Sequence, residues 1–156
     1  MVRPHITVAT VVEAQRRFLL VEEKIQGKVV FNQPAGHLKT DEDVVDGAKR
    51  ELWEETGLDL SPQALTGIYL FDVPREDRSY LRFNFSLALD EPVGTAPRDP
   101  SIIRCHWLSL EQIRELDEER KLRSPLVLSS IVDYLKGHEY PLSILHRFLP
   151  ATEPSL

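Results

Sequence analysis

Cysteine is almost missing from this sequence: Cys105 stands alone, so an intramolecular disulfide is excluded. A chain without disulfides fits a reducing compartment, and we expect a cytoplasmic protein. No apolar run approaches the ~18 residues that a membrane-spanning helix requires. The opening segment, MVRPHITVATVV, also lacks an apolar stretch of the length found in secretory signals. We therefore expect no membrane partner.

Basic residues are in the minority, since 19 Lys and Arg stand against 25 Asp and Glu, for a formal net charge of −6. Non-specific nucleic-acid binding requires a basic face, so we expect no nucleic-acid partner. The same charge disfavours phosphate ligands unless the protein also supplies a cation. A hydrophobic content of 42% over 156 residues predicts one domain spanning 1–156 with a core of its own.

The order of predicted elements indicates a mixed α+β protein, with strands before and after one internal helix and further helices near the C-terminal end. In the strand predicted at 80–90, apolar residues alternate strictly with polar ones, so Arg82 lies on the opposite face from Phe83 and Phe85. Runs rich in β-branched and aromatic residues predict strands at 5–12, 17–23, 29–34, 64–73, 80–90 and 102–109.

Capping signals locate the helices at the C-terminal end. Ser109 and Gln112 have the spacing of a capping box. Ser124 followed by Pro125 predicts an N-cap with proline in the first helical position, and Gly137 suits the end of that helix.

The internal helix is unusually acidic. A Thr40-x-x-Asp43 start signal, with Asp41 as a second cap candidate, and a stop at Gly57 predict a helix over residues 42–56. Its buried stripe is expected to include Ala48 and Leu52, which are four residues apart.

Three glutamates, Glu51, Glu54 and Glu55, share one face of that helix because they are three or four residues apart. At ~6 Å and an effective dielectric constant of ~20, two carboxylates repel by roughly 3 kcal/mol. The single neighbouring cation, Arg50, is not expected to neutralise all three. Either the face is fully solvated, or a divalent cation lies on it, and oxygen-only ligands favour Mg²⁺ or Mn²⁺.

The surrounding spacing favours the cation. Gly36 is followed after five residues by Glu42, and after seven more by the run RELWEETGL at 50–58. This arrangement matches all nine fixed positions of the Nudix box, Gx5Ex7REUxEExGU, in which U is aliphatic. The sequence therefore resembles the Nudix hydrolases, and the box covers 36–58.

That resemblance implies a mixed-sheet α/β/α sandwich with a loop-helix-loop box. It also implies divalent-metal-dependent hydrolysis of a nucleoside diphosphate linked to another group. By position, the metal ligands would be Glu51, Glu54, Glu55 and the backbone carbonyl of Ala35, with Mg²⁺ as cofactor and Mn²⁺ as a substitute. In related enzymes the glutamate at position 51 is instead the general base. We predict Glu51, Glu54, Glu55 and Arg50 as catalytic residues, with structural support from Gly36, Glu42 and Gly57; by the resemblance, Arg50 acts with Glu42 as an orienting pair that braces the loop and the helix.

A narrower resemblance concerns one group of bacterial Nudix phosphatases. Its segments are spread over residues 4–142 and read PHITVA, NQPAGHL, LRF, LRSPLV and YPL. The resemblance implies hydrolysis of nucleoside di- and triphosphates and thiamine-type pyrophosphates, with release of orthophosphate. The alternatives are a Nudix enzyme that releases pyrophosphate from nucleoside triphosphates, and a non-catalytic Nudix domain that binds a metabolite.

Four residues outside the box glutamates are candidates for binding a small phosphorylated metabolite: Gln33, His37, Arg82 and Arg123. Each also has a structural interpretation, such as an exposed strand arginine for Arg82 or a helix-end contact for Arg123. Ser101 occupies the place where a further acid is expected, and Asp99 is the nearest substitute, although a turn role is favoured for it. We expect a monomer or a weak homodimer.

Overall fold

The computed structural model describes residues 3–149 as a mixed seven-stranded sheet with helices on both faces. The α/β/α sandwich predicted from the sequence is thus confirmed; residues 1–2 and 150–156 of the predicted domain lie outside the described part. The strands are β1 (His5–Ala14), β2 (Arg17–Ile25), β3 (Lys28–Asn32), β4 (Ala35–His37), β5 (Ala64–Val73), β6 (Arg78–Leu89) and β7 (Ile102–Ser109). The α-helices are α1 (Val44–Thr56), α2 (Leu110–Glu118) and α3 (Leu126–Leu135), and short 3₁₀ turns lie at Pro74–Glu76 and Leu142–Ile144.

The sheet divides into two branches. Strand β1 pairs with β6 along its whole length. It pairs with β2 only beside their hairpin, where Glu13 pairs with Phe18 and Ala14 pairs with Arg17. Strand β2 pairs with β7 from Arg17 onward and with β3 from Val21 onward, and β4 pairs with the edge of β1 that β2 has left. A fork therefore opens between the branch β2–β3–β7 and the branch β1–β4–β5–β6.

Helix α1 covers one face of the sheet. Its residues Ala48 and Leu52 are buried against apolar residues of β1 and β6, as the predicted stripe requires. The predicted N-terminus was wrong by two residues: Asp43, not Thr40 or Asp41, is the N-cap, and its carboxylate accepts a bond from the Asp46 backbone N–H at 2.8 Å. Asp41 instead has a positive φ of 68°, so it belongs to the turn before the helix.

Gly57 ends α1, as predicted, with φ of 77° and its backbone N–H bonded to the Trp53 carbonyl at 2.8 Å. A Cβ at this position would lie 2.4 Å from the Ala96 carbonyl oxygen. Only glycine therefore suits both the left-handed backbone and the packed loop.

Helices α2 and α3 cover the other face, where Ile113, Val127 and Ile131 pack against Phe18 and Leu20. The predicted capping box is confirmed, since Ser109 and Gln112 exchange both of its hydrogen bonds at the start of α2. Helix α3 begins one residue later than predicted. Its N-cap position is Pro125, and the Ser124 hydroxyl accepts a bond from the Leu126 N–H at 3.2 Å.

Both faces of β6 are buried, which the alternation in the sequence did not predict. Phe83 and Phe85 face α1, whereas Arg82 and Asn84 lie on the α3 face. The exposed fraction of Arg82 is 6%, so its interpretation as an exposed strand arginine is wrong. No helix within residues 3–149 is long and apolar enough to cross a membrane.

The α1 interface yields a stability prediction. Leu52→Ala should lower the free energy of unfolding by about 2–5 kcal/mol, because it leaves a cavity in a fully buried site. The matched control is Leu70→Ala on β5, where the side chain is 67% exposed and the expected change is within about 0.5 kcal/mol. Urea denaturation measures both. Equal losses in the two variants would contradict the burial of α1 described here.

Candidate metal and substrate site

The acidic face of α1 meets β4 at the opening of the fork. The Ala35 backbone N–H donates to Glu55 Oε1 at 2.7 Å. A Cβ on Gly36 would lie 2.2 Å from the Glu51 carboxyl group. Glycine at position 36 is therefore what allows the Glu51 side chain to approach the strand, and both glutamates lie directly against the loop that precedes their helix.

Arg50 links this loop to the carboxylates of the helix. Its Nη2 and Nε donate to the two oxygens of Glu42 at 2.6 and 2.9 Å, and Nη2 also donates to the His37 carbonyl at 3.1 Å. Its Nη1 donates to Glu51 Oε1 at 2.8 Å and to Glu54 Oε2 at 3.2 Å. Of the three glutamates on the helix face, Arg50 thus contacts Glu51 and Glu54 but not Glu55, in agreement with the expectation that it would not neutralise all three.

Glu55 is the carboxyl group that Arg50 does not contact. Its exposed fraction is 5%, and burial raises its pKa to about 9, with smaller contributions from Glu51, Glu23 and Asp99. Burial also raises the pKa of Glu51, although the bond from Arg50 opposes the shift. Glu42 shows the reverse, because its hydrogen bonds from Arg50 hold its pKa below the usual range. Among these carboxyl groups, Glu55 is therefore the one whose ionised form the protein itself stabilises least.

Two acids outside the box lie close enough to influence these groups. Glu23 on β2 is only 7% exposed, and burial raises its pKa. It follows a register shift in the pairing of β2 with β7, and such irregularities redirect side chains near sites. The sequence analysis did not identify Glu23. The signal that could have found it was an acidic residue at a position of β2 whose side chain, by strand alternation, points into the protein.

Asp99 comes from the loop before β7. Its backbone N–H donates to the Glu54 carbonyl at 2.9 Å, which fixes the loop against α1. Its carboxylate accepts bonds from the Ser101 N–H at 2.9 Å and the Ser101 hydroxyl at 2.8 Å. This is the turn role that the sequence favoured, and Asp99 still adds negative charge near Glu51 and Glu55.

Gln33 and Arg82 form a buried chain on the α3 face. Arg82 Nη2 donates to Gln33 Oε1, and Gln33 Nε2 donates to Ser130 Oγ at 2.6 Å. Both ends of the Gln33 amide are thus engaged inside the protein, and its side chain is buried. Burial lowers the pKa of Arg82 to about 10, and its Nε has no partner among the described residues.

His37 and Arg123 lie at the mouth of the fork, on opposite branches. Arg123 is attached to β3 through its N–H, which donates to the Phe31 carbonyl at 2.8 Å, and its Nη1 lies 3.5 Å from Glu23 Oε1. His37 ends β4 and is exposed. Its pKa is lowered by partial burial, by His5 and by the positive charges of Arg78 and Arg123. Cationic groups therefore flank an acidic interior.

The donor set fits a hard divalent cation. The side chains of Glu51, Glu54 and Glu55 and the backbone of Ala35 offer oxygen ligands only, which suits Mg²⁺ or Mn²⁺ rather than softer metals. No group of three or more His, Cys, Asp or Glu residues between positions 3 and 149 is already arranged around a common point. Glu51 and Glu54 instead accept bonds from Arg50, and a cation bound to them would replace those bonds while the Glu42 pair remains.

Comparison with known proteins agrees with this geometry. The NUDIX domain family model matches residues 1–128, and the chain belongs to the Nudix hydrolase family. It is 45% identical over 148 residues to "Phosphatase NudJ" of Escherichia coli (strain K12), covering 95% of this chain and 94% of that protein. The protein is therefore a Nudix enzyme of the phosphoanhydride hydrolase type, similar to NudJ, and such enzymes act on small phosphorylated substrates.

Solved structures show the same architecture. A NUDIX hydrolase from Nitrosomonas europaea superposes with a TM-score of 0.84 at 39% identity, over 94% of this chain and 98% of that one. The MutT protein from Methanosarcina mazei Go1 superposes with a TM-score of 0.71 at 21% identity, over 89% of this chain and 99% of that one. The second likeness concerns the fold alone.

The Arg50 network yields a second prediction. Arg50→Ala should lower the free energy of unfolding by about 1–3 kcal/mol, because it leaves three partly buried carboxylates without a cation. For a chain of this length the melting temperature should fall by roughly 3–10 °C. Melting is measured in chelator, so that a metal ion does not compensate.

The matched control is Lys121→Ala, which removes an exposed ion pair with Glu119 at 2.8 Å. Exposed pairs contribute ~0.2–1 kcal/mol at most sites, so this variant should melt close to the wild type. An Arg50→Ala protein that melts normally but has lost activity would assign Arg50 a direct catalytic role instead.

Proposed function

We propose that the protein is a Mg²⁺-dependent phosphatase that hydrolyses the terminal phosphoanhydride bond of nucleoside di- and triphosphates and of thiamine-type pyrophosphates, and releases orthophosphate. The observation that carries the metal requirement is Glu55, a buried carboxyl group among like charges that Arg50 does not reach. The similarity to NudJ over most of the chain supports the phosphatase activity. Mn²⁺ is the expected substitute metal.

In this proposal Glu51, Glu54, Glu55 and the carbonyl of Ala35 hold the metal. When bound, the metal neutralises the phosphate oxygens and lowers the pKa of a coordinated water. The short bond from the Ala35 N–H orients Glu55 before a cation arrives. Gly36 permits Glu51 to lie against the loop, so ligands from the loop and the helix are already adjacent.

Glu42 and Arg50 act as a brace for this cage. Two bonds between them join the box loop to the helix, and the bond from Arg50 to the His37 carbonyl extends the brace to the end of β4. Arg50 can therefore release Glu51 and Glu54 to a cation without losing its position. Gly57 supports the same helix from its far end.

Substrate binding is assigned to the cationic mouth of the fork. His37 and Arg123 are accessible there and can contact a phosphate directly. Gln33 and Arg82 reach the substrate only by exchanging a buried partner, because their amide and guanidinium groups bind each other. We further propose a single catalytic domain over 1–156, a cytoplasmic location consistent with the lone cysteine, and a monomer or weak homodimer.

Glu55→Gln tests the metal assignment. Turnover should fall by roughly two orders of magnitude or more at saturating Mg²⁺, because a carboxylate ligand is lost. The variant should still fold, since the glutamine carbonyl oxygen can accept the same bond from Ala35. Mn²⁺ affinity, measured by calorimetry, should fall in parallel. Glu115→Gln, an exposed change on α2, is the control, and near-normal turnover and Mn²⁺ affinity in folded Glu55→Gln would end the assignment.

The broken bond is tested with a nucleoside triphosphate in ¹⁸O-labelled water. Attack at the terminal phosphorus should place the label in free orthophosphate, with nucleoside diphosphate appearing before monophosphate. Mass spectrometry of the products measures both. Unlabelled pyrophosphate with label in the monophosphate would instead show a Nudix pyrophosphohydrolase, and no hydrolysis of any phosphorylated metabolite would favour a metabolite-binding domain.

A further inference from the structure

Three rings gather where β1, β4 and β6 meet at one end of the sheet. The His5 ring centroid lies 5.6 Å from that of His37, in an edge-to-face arrangement, and 5.6 Å from that of Tyr80, tilted by 36°. The His37 and Tyr80 centroids are 6.3 Å apart. These three residues, hereafter the ring cluster, come from separate strands and are brought together by strand register, since His5 pairs with Tyr80 and Thr7 pairs with His37.

The ring cluster is open to ligands. His5 and His37 are exposed, and Tyr80 is half-buried, so the cluster is accessible from solvent although the rings contact each other. Register places the cluster on the same face as Arg82, because Thr7 pairs with both Arg82 and His37.

The ring cluster also adjoins the carboxylates. The His37 carbonyl accepts a bond from Arg50, the residue that contacts Glu51 and Glu54. A ligand with its phosphates at the glutamates therefore has its remaining part within reach of His37 and its neighbours.

Cations border the rings on two sides. The pKa of Arg78 is raised, chiefly by its interaction with the Tyr80 hydroxyl, and the positive charges of Arg78 and Arg123 both act on His37. The Tyr80 hydroxyl also lies 3.4 Å from Glu76 Oε2. Flat rings beside positive charge match a ligand that joins an aromatic ring to phosphate, because the ring stacks while the cations attract the anion.

We propose that His5, His37 and Tyr80 bind the aromatic ring of the substrate's leaving group, so that the preferred substrates carry a flat heterocycle joined to the phosphates. This inference rests on the proposed function, because it assumes that the phosphates lie at the box glutamates. It adds His5 and Tyr80, which lie outside the Nudix box, as specificity determinants. A diphosphate with no ring occupies the glutamates alone and binds more weakly.

The test compares two non-hydrolysable ligands in the presence of Mg²⁺, an α,β-methylene nucleoside diphosphate and methylenediphosphonate, which lacks the nucleoside. Calorimetry measures the dissociation constant of each. The readout is the dissociation constant of methylenediphosphonate divided by that of the nucleoside analogue. The wild-type protein should bind the nucleoside analogue more tightly. In Tyr80→Leu and His5→Leu the ratio should fall about tenfold, the factor expected for one lost stacking contact, whereas Tyr80→Phe should retain it.

Tyr140→Leu is the matched control. Tyr140 is an exposed tyrosine whose backbone pairs with Leu65 at one end of β5, whereas Tyr80 pairs with Phe71 near the other end. The ratio of the two dissociation constants in Tyr140→Leu should equal that of the wild type. Melting temperatures check folding, and His5→Leu, an exposed change, decides the test if Tyr80→Leu does not fold.

Two outcomes overturn the proposal in distinguishable ways. If both ligands bind but the ratio is the same in the wild type, His5→Leu and Tyr140→Leu, the ring cluster has no role in binding and the proposed function is unaffected. If neither ligand binds the wild-type protein with Mg²⁺ present, the proposed function fails, and the ring site fails with it.

Discussion

The guanidinium of Arg50 is the interaction on which the site depends. It joins Glu42 of the loop, Glu51 and Glu54 of the helix and the carbonyl of His37 at the end of β4. Without a cation at this point, the carboxylates would repel one another across a partly buried junction. Because the planar guanidinium offers donors in several directions, one arginine can hold loop, strand and helix together, and a lysine could not make the same set of bonds.

The fork in the sheet explains why a site exists at this junction. If β2 had remained paired with β1, no space would separate the two branches, and Glu23 and Arg123 would not face the end of β4. Because β2 pairs with β1 only beside their hairpin and with β3 further along, an edge of β1 is left free, and the short β4 pairs with only part of it. The acidic helix lies beneath this opening, and the cationic side chains lie at its mouth.

The polar side of β6 connects this region to α3. Arg82 reaches Ser130 through Gln33, and the Tyr69 hydroxyl donates to Asp133 at 2.6 Å on the same face. Polar groups buried in this way are stable only when they are hydrogen-bonded, so α3 is held in a defined position relative to the sheet. Among the described residues of β6, Arg82 Nε and Asn84 Oδ1 are exceptions without a partner, and Arg82 lies within electrostatic reach of Glu55.

Local sequence determined six of the seven described strands, the extent of the box helix to within two residues, its end at Gly57 and the capping box of α2, because each depends on the periodicity or the capping chemistry of neighbouring residues. It did not predict the short strand β4, which depends on its pairing with β1. The spacing of the box also determined which glutamates share a face. Tertiary structure decided the rest. Burial of Arg82 depends on α3 covering β6, the contacts of Arg50 depend on the path of the loop, and the approach of Glu23 to Glu55 depends on the fork. These are contacts between residues far apart in the chain, whose distances depend on how the layers pack and not on any local pattern.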